Sequence, residues 1–215
     1  GAIGSFIAVA NLRSNVDAGI SERVTITAGG GVGVAAVTTE RTTGMAFAGA
    51  IGGLSLTGQF LVLHSTATQN AHIDDTAVIP YAGGVVAADA TADRRIEGLG
   101  VGVGVGGVAV GAAVVDIVAN GDTTGRIGRV VIGGTAASGG LRVTASSTID
   151  VPVQVYAVNA GLGIGVTAAG GVAPITGRTS ATFDGTAYLT GGATIAATGR
   201  HTASVFMLSV ATGVY

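Results

Sequence analysis

Few residues of this chain could perform acid–base or metal chemistry, and their spacing does not favour it. The three histidines are His64, His72 and His201, and Asp74 lies two residues after the second of them. The chain has no cysteine, which excludes a thiolate metal site and a disulfide framework. We interpret the histidines as solvent-facing or loop residues, with a metal site or an acid–base pair at His64, His72 and Asp74 as the alternative.

Several carboxylates could bind calcium, which prefers oxygen ligands. These acids are Asp74, Asp75, Glu97, Asp116 and Asp122. The sequence contains neither an EF-hand loop nor the glycine-rich nonapeptide repeat that binds calcium in parallel β-helices. We therefore interpret these acids as turn and surface residues.

One glycine motif matches a nucleotide-binding pattern by its letters. Gly102, Gly104 and Gly107 fit G-x-G-x-x-G, but that fingerprint needs a helix after the turn, and here the valine alternation continues. Ser65 and Ser204 lack the context of an activated nucleophile. The sequence thus predicts no catalytic residue, no metal site and no cofactor, and we expect a protein that is not an enzyme.

The elements that would have to position any such residues are strands, as the stretch from Gly98 to Asn120 shows. Val101, Val103 and Val105 alternate with glycine, and a period of two is typical of a β-strand. Valine on one face suits a packed sheet, and glycine on the other lets a second sheet approach closely. The run is about as long as a membrane helix, but its glycine content argues against any helix, so we expect no transmembrane helix.

The composition also favours close stacking of small side chains. Of 215 residues, 39 are glycine, 48% are hydrophobic, 10% are charged and 4% are aromatic. Such hydrophobicity with so little charge excludes disorder. The net charge of −2, with no lysine, gives no electrostatic reason to bind nucleic acid or an anionic membrane surface.

Four Gly-Gly pairs recur at intervals of 52 to 56 residues, and each is followed by the same ordered features. Valine or isoleucine, any residue and alanine come next, then a threonine- or serine-rich patch, then a long run of small apolar residues. We predict an all-β, solenoid-like stack of four repeats of about 54 residues with essentially no helix. The predicted single domain, 1–215, divides into a half repeat 1–28, repeats 29–82, 83–138 and 139–190, and a half repeat 191–215. Equivalent corners are expected at Gly29, Gly83, Gly139 and Gly191.

Within the second repeat we predict strands over 85–92, 95–105, 108–119 and 126–132. The breaks fall at Gly106-Gly107, Asn120-Gly121-Asp122 and Gly133-Gly134. Arg94 and Arg95, like the arginines of the other polar patches, are expected in solvated bends between strands. Gly104→Leu should disturb packing more than Thr123→Leu, because Gly104 is expected to face a close neighbour.

The two half repeats are predicted to complete each other. Joined end to start, they form one repeat of 53 residues, so we expect head-to-tail assembly of copies of this chain, or of adjoining repeat blocks of one longer chain. Tyr215 of one unit should then lie beside Gly1 of the next, with Phe6 and Phe206 in or near the joined core. The predicted self-assembly ends are formed by apolar and terminal residues: Gly1, Ile3, Phe6, Ile7, Val205, Phe206, Leu208 and Tyr215.

The repeat pattern resembles that of very large bacterial surface proteins, the repetitive leukotoxin-like and filamentous-haemagglutinin-like adhesins. The features that carry the resemblance are Gly-Gly, Val-x-Ala, the Thr/Ser patch and a Gly/Ala/Val run ending near Val-Asn or Ala-Asn, over essentially the whole chain. It implies secretion, an elongated β-solenoid and surface attachment or cell contact. It carries over no catalytic residue.

From these observations we expect a structural subunit or segment of an extracellular filament or surface fibre. The alternative is a ligand-binding stalk segment of an adhesin that recognises a host-cell or matrix ligand. An exposed apolar or aromatic patch would favour the alternative, and a polar coat would favour a plain spacer.

Overall fold

The computed structural model describes residues 1–213. Within that range the chain forms twelve strands and no helix. The strands are β1 (Ala2–Ile20), β2 (Thr25–Ala28), β3 (Val32–Ile73), β4 (Val78–Ala82), β5 (Val85–Asn120), β6 (Thr123–Ile127), β7 (Val131–Ile132), β8 (Gly140–Val172), β9 (Ile175–Thr176), β10 (Thr179–Phe183), β11 (Thr186–Ala187) and β12 (Ala193–Gly213). The described residues include no helix with the length and apolar character needed to cross a membrane.

All strand pairs are parallel, and each pair joins residues about one repeat apart. Partners are 53 residues apart between β1 and β3, 54 between β3 and β5, 55 to 56 between β5 and β8, and 52 between β8 and β12. The chain therefore winds as a solenoid in which each coil stacks on the previous one. The predicted all-β, solenoid-like fold is confirmed.

Each coil is flattened into two long walls that face each other. In the coil of β3, residues 32–51 form the first wall and residues 54–73 form the second wall. The walls meet inside: a Cβ on Gly44 would collide with the side chain of Leu63, and Ser55 Oγ donates to the Ala50 carbonyl over 3.0 Å. Gly52 and Gly53 form the turn between the walls, and the same turn recurs at Gly106–Gly107 and around Leu162. We call this edge the tip.

The opposite edge, which we call the base, is closed by a short third side. β2, β4, β7 and β11 form this side as a separate parallel sheet. Large aliphatic side chains fill the space between the three sides, including Ile73, Ile79, Ile127, Ile132 and Leu141. The base thus has an ordinary aliphatic core.

Between the base and the tip lies the blade, where only the two walls remain. The inward residues of the first wall are small: Ala46, Ala48 and Ala50 in the coil of β3, and Gly100 and Gly104 in the coil of β5. The second wall contributes larger aliphatic side chains, namely Leu61, Leu63, Val115 and Ile117. The predicted close approach on the glycine face is therefore present, since a Cβ on Gly100 would collide with Gln59 and Val115 of the opposite wall, and one on Gly104 would collide with Asn159 of the next coil.

The alternating valines of the blade lie on its outer face. Val101 and Val103 are half-buried, and Val105 is 42% exposed. The expectation that Val101, Val103 and Val105 form a packed face is thus not met. The inward glycines of this wall instead make room for side chains of the opposite wall, since a Cβ on Gly98 would collide with Val115 and Ile117.

The predicted bend at Arg94 and Arg95 is wrong, because β5 runs without interruption from Val85 to Asn120. Arg94 points into the solenoid and is 1% exposed, so it is not in a solvated bend. The break after Asn120 does occur, at Gly121 with φ +148°, where a Cβ would collide with the Ala67 carbonyl. Thr123 is also buried, and its hydroxyl donates to Gln69 Oε1 over 3.2 Å. Thr123→Leu is therefore not the mild substitution that the sequence predicted.

Candidate assembly surfaces

The first end of the solenoid is an open sheet edge. Within residues 1–213, β1 pairs only with β3, and the first wall of β3 pairs only with β5. Large apolar side chains lie exposed along this edge, among them Ile3 (79% exposed), Phe47 (63%) and Ile51 (80%). An edge of this kind offers a row of unpaired backbone groups to a further strand.

The second end is a similar edge made of different parts. In the described residues β12 pairs only with β8, and every residue of β12 is exposed because no second wall faces it. Beside it, the second-wall residues of β8 leave Ile164 and Val166 exposed, and Leu162 at the tip is 79% exposed.

The two ends present complementary halves of one coil. β12 continues the register of first walls, since Ala193 lies on Leu141, which lies on Val86, which lies on Val32. β1 continues the register of second walls, since Ala2 lies on Ser55. A first wall followed by a second wall is the order within every complete coil.

The predicted end residues divide between the two faces of the walls. Phe6 pairs with buried Gln59, and Val205 pairs with buried Val153, so both lie in inward positions. Phe206 is in an outward position instead, beside Tyr156 with ring centroids 5.8 Å apart, which contradicts its expected place in the joined core. The outward positions also include Ile3, Ile7 and Leu208, while Gly1 lies against Leu54 at the tip. Tyr215 lies outside the described residues.

Sequence reasoning missed the first-wall half of the first end. Val37, Met45, Phe47 and Ile51 are exposed there and would lie over β12 of a preceding coil. The 54-residue period could have identified these residues, because it aligns them with residues 198 to 212 of the C-terminal half repeat. The half-repeat argument considered only residues 1–28 and 191–215.

The four corner glycines stack on one another where each coil begins. Gly83 N–H donates to the Ala28 carbonyl over 3.0 Å, and Gly139 N–H donates to the Ala82 carbonyl over 2.9 Å. A Cβ on Gly83, Gly139 or Gly191 would collide with the carbonyl oxygen of the corner glycine one coil earlier, at Gly29, Gly83 or Gly139. Glycine is therefore required at these corners by the close approach of one backbone to the next.

A buried ion pair lies between the walls at the junction of base and blade. Arg94 Nε donates to Glu40 Oε2 over 2.8 Å, and its other nitrogens donate to Ser65 Oγ and the Asn120 carbonyl over 2.6 and 2.8 Å. Because every partner comes from a different part of the coil stack, Arg94 joins both walls and two coils. This arrangement is structural, since the guanidinium has no open side.

Exposed ion pairs join neighbouring coils on the outside of the base. Arg142 donates two bonds to Asp89, and Thr144 Oγ1 donates a third over 2.7 Å. The Arg142 side chain is the largest influence on Asp89 and lowers the pKa of that carboxyl, although partial burial acts in the opposite direction. At Asp75, the backbone N–H of Arg129 is the main cause of a lowered pKa.

His72 is the one histidine of the sequence analysis that the structure brings to acids. Its ring lies between Asp17 and Asp74, with Nδ1 3.3 Å from Asp17 Oδ1 and Nε2 3.5 Å from Asp74 Oδ1. His72 is in a strand and mostly buried, which corrects its expected place in solvent or a loop; His64, by contrast, is exposed. No cluster of three or more metal-binding side chains was found within residues 1–213.

Comparison of the chain with protein-family models, curated proteins and solved structures found no match in any of the three.

Proposed function

We propose that this chain is a structural segment of an extracellular filament, extended by the stacking of one solenoid on the next. Each end would receive the complementary half of a coil, either from another chain or from the adjoining block of the same polypeptide. The protein would act through its shape and its continuity rather than through catalysis.

The observation that supports this proposal is the unbroken register of the stack. Val37, Thr91, Ser146 and Thr198 follow one another in a single row across four coils. Continuing the same offset places Val37 of a following unit on Thr198. An in-register joint would pair the exposed backbone edges of both units, and it would cover Met45 with Phe206 and Phe47 with Leu208.

The joint is heterologous, because the edge formed by β1 and the first wall of β3 meets a different edge, formed by β12 and the second wall of β8. An interface of this type does not close on itself, so repetition extends the assembly along the solenoid axis. β1 and β12 of one unit lie at opposite ends of the stack, and no pairing joins them in the described residues. An extracellular location is part of the proposal, and it is supported by the adhesin-like repeat pattern.

The joint can be tested by disulfide trapping, because the chain has no native cysteine. Val37→Cys and Thr198→Cys in one chain would face each other only across a joint, since they lie three coils apart within a unit. Oxidation should give disulfide-linked multimers, because neighbouring parallel strands hold Cα atoms about 4.8 Å apart, within the range of a disulfide.

The matched control replaces Thr198 by Thr202, which lies four residues along the same strand. Val37→Cys with Thr202→Cys would be about 13 Å out of register and should stay monomeric. Val37→Cys with Thr91→Cys should give an intramolecular disulfide and show that the positions are reactive. Equal cross-linking of the 198 and 202 variants, or none from either, would refute the in-register joint.

A binding function is the second candidate, and the exposed apolar faces of the blade favour it. A plain spacer would be expected to carry a polar coat, whereas Met45, Phe47, Val105 and Phe206 face outward with much of their surface exposed. Contiguous exposed apolar surface commonly marks an interaction site.

A further inference from the structure

The blade differs from the base in its outer surface, which is apolar. Its outward side chains are mostly Val, Leu, Ile, Phe and Met on both walls. Its inward positions hold Ala and Gly, the polar Ser55, Thr57, Gln59 and Asn159, and the aliphatic Leu61, Leu63, Val115 and Val153. A protein surrounded by water usually does not cover two outer faces with large apolar side chains.

Most inward polar groups of the blade are bonded within the solenoid, whereas Gln59 Oε1 and Thr167 Oγ1 are buried without a partner among the described residues. Asn159 Nδ2 donates to the Val166 carbonyl over 3.1 Å, Gln59 Nε2 donates to the Val114 carbonyl over 3.3 Å, and Ser55 donates to Ala50. The internal strands of the blade also pair on both sides with neighbouring coils. Its interior therefore needs little from the solvent.

The apolar surface has a definite depth. No Asp, Glu, Lys or Arg occurs in residues 1–12, 42–73, 98–115, 151–172 or 203–213. In the coil of β5, Glu97 and Asp116 are the charges nearest the tip on the two walls, and each is nine residues from the Gly106–Gly107 turn. At about 3.3 Å per residue, the charge-free band of this coil is about 30 Å deep on both walls, which matches the hydrocarbon core of a bilayer. In the coil of β3 the nearest charges, Arg41 and Asp74, are 11 and 21 residues from the Gly52–Gly53 turn.

We infer that the blade is a lipid-binding surface that enters the hydrocarbon region of a bilayer tip first, with Glu97 and Asp116 at the level of the head groups. The geometry favours lipid over a second copy of the chain. A copy packed on one wall would leave the other wall and Leu162 at the tip uncovered, whereas acyl chains can surround both walls and the tip together.

One property follows from the surface itself: because the band carries no charge, insertion should not depend on anionic lipids. In a filament, stacking would in addition supply the strands that pair the polar backbone edges of β1 and β12, which lipid cannot satisfy.

The first experiment is flotation of the full chain with vesicles of phosphatidylcholine, which carries no net charge. The wild-type chain should float with the vesicles. Val105→Asp with Val110→Asp places one carboxylate on each outer face of the blade and should reduce the floating fraction at least tenfold. Thr91→Asp with Thr124→Asp adds the same charge to outward positions of the same coil in the base, and it should float like the wild type.

A second measurement decides the case even if the charged blade variant folds poorly. The chain has no tryptophan, so a single introduced tryptophan is an unambiguous reporter. Brominated phosphatidylcholine should quench Val105→Trp and leave Thr91→Trp unquenched. Equal quenching at both positions, or absence of flotation by the wild-type chain, would overturn the inference.

The disulfide assay at the joint separates this inference from the proposed function. Multimers without flotation would refute lipid insertion and leave stacking intact. Flotation with blade-specific quenching but without multimers would refute stacking and leave lipid binding. Lateral pairing of units in the absence of lipid, lost in the Val105→Asp/Val110→Asp variant and accompanied by no flotation, would assign the surface to a second copy instead.

Discussion

The base and the blade are built from the same long parallel strands, but the side chains buried between the walls differ in size. In the base, a third side separates the walls, and Ile73, Ile79 and Ile127 fill the space between them. In the blade the third side is missing and the walls approach closely, so glycine or alanine on one wall faces larger side chains such as Leu63 and Val115 on the other. Strand register is continuous through both regions, so the separation of the walls and not the strand pattern decides which side chains are buried.

The largest expected effect compares a buried aliphatic residue of the base with an outward valine of the blade. Ile127→Ala should lower the free energy of unfolding by about 4 kcal/mol, because it leaves a cavity at a fully buried position. Val105→Ala, on the outer face of the blade, should change it by less than about 0.5 kcal/mol. Urea denaturation of both variants measures the difference, and equal losses would mean that the blade valines are buried in solution.

The ion pair at the junction of the two regions should be sensitive to the loss of one partner. Glu40→Leu should cost about 3 kcal/mol, because it leaves the Arg94 guanidinium charged and 1% exposed without its carboxylate. Adding Arg94→Met should restore most of that loss. If the double variant is as unstable as the single one in urea, packing rather than the unpaired charge would be the cause.

The close approach of the walls in the blade predicts a smaller effect from added volume. Gly104→Leu should cost about 1–3 kcal/mol, because its Cβ would meet the buried side chains of Asn159 and Ser55. Thr91→Leu is the matched control, since Thr91 faces outward on the same strand. Indistinguishable melting temperatures for the two variants would contradict a tightly closed blade.

The smallest effect concerns the charged outer face of the base. The pKa of Asp89 lies below its ordinary value of 3.8, so its contribution to stability is present above that pH and is lost as the pH falls through the folded-state pKa. Asp89→Asn should therefore lower stability at pH 7 by at most about 1 kcal/mol, and the difference from wild type should shrink as the pH falls below 3.8. A difference that stays constant as the pH falls would point to lost packing instead of charge.

Much of the fold could be predicted from the sequence, because its signals are local and repeated. Valine–glycine alternation at Val101 to Val105 indicated strands, and the glycine pairs indicated coils that stack. The alternation does not show whether the valines or the glycines point into the solenoid, however, because the pattern is the same in both cases. The outward valines and the inward Arg94 depend on the wall separation and on Glu40, which is 54 residues away, and neither is visible in a local pattern.

One coil per repeat also has a mechanical meaning. A coil of about 54 residues adds only about 4.8 Å to the length of the stack, yet the same chain measures about 180 Å when drawn out. Tension applied through the chain ends would peel the outermost coil and open its ladder one hydrogen bond at a time. Each released coil would become nearly forty times longer than it is in the stack. The molecule would therefore extend in steps of one coil, while the remaining coils stay folded.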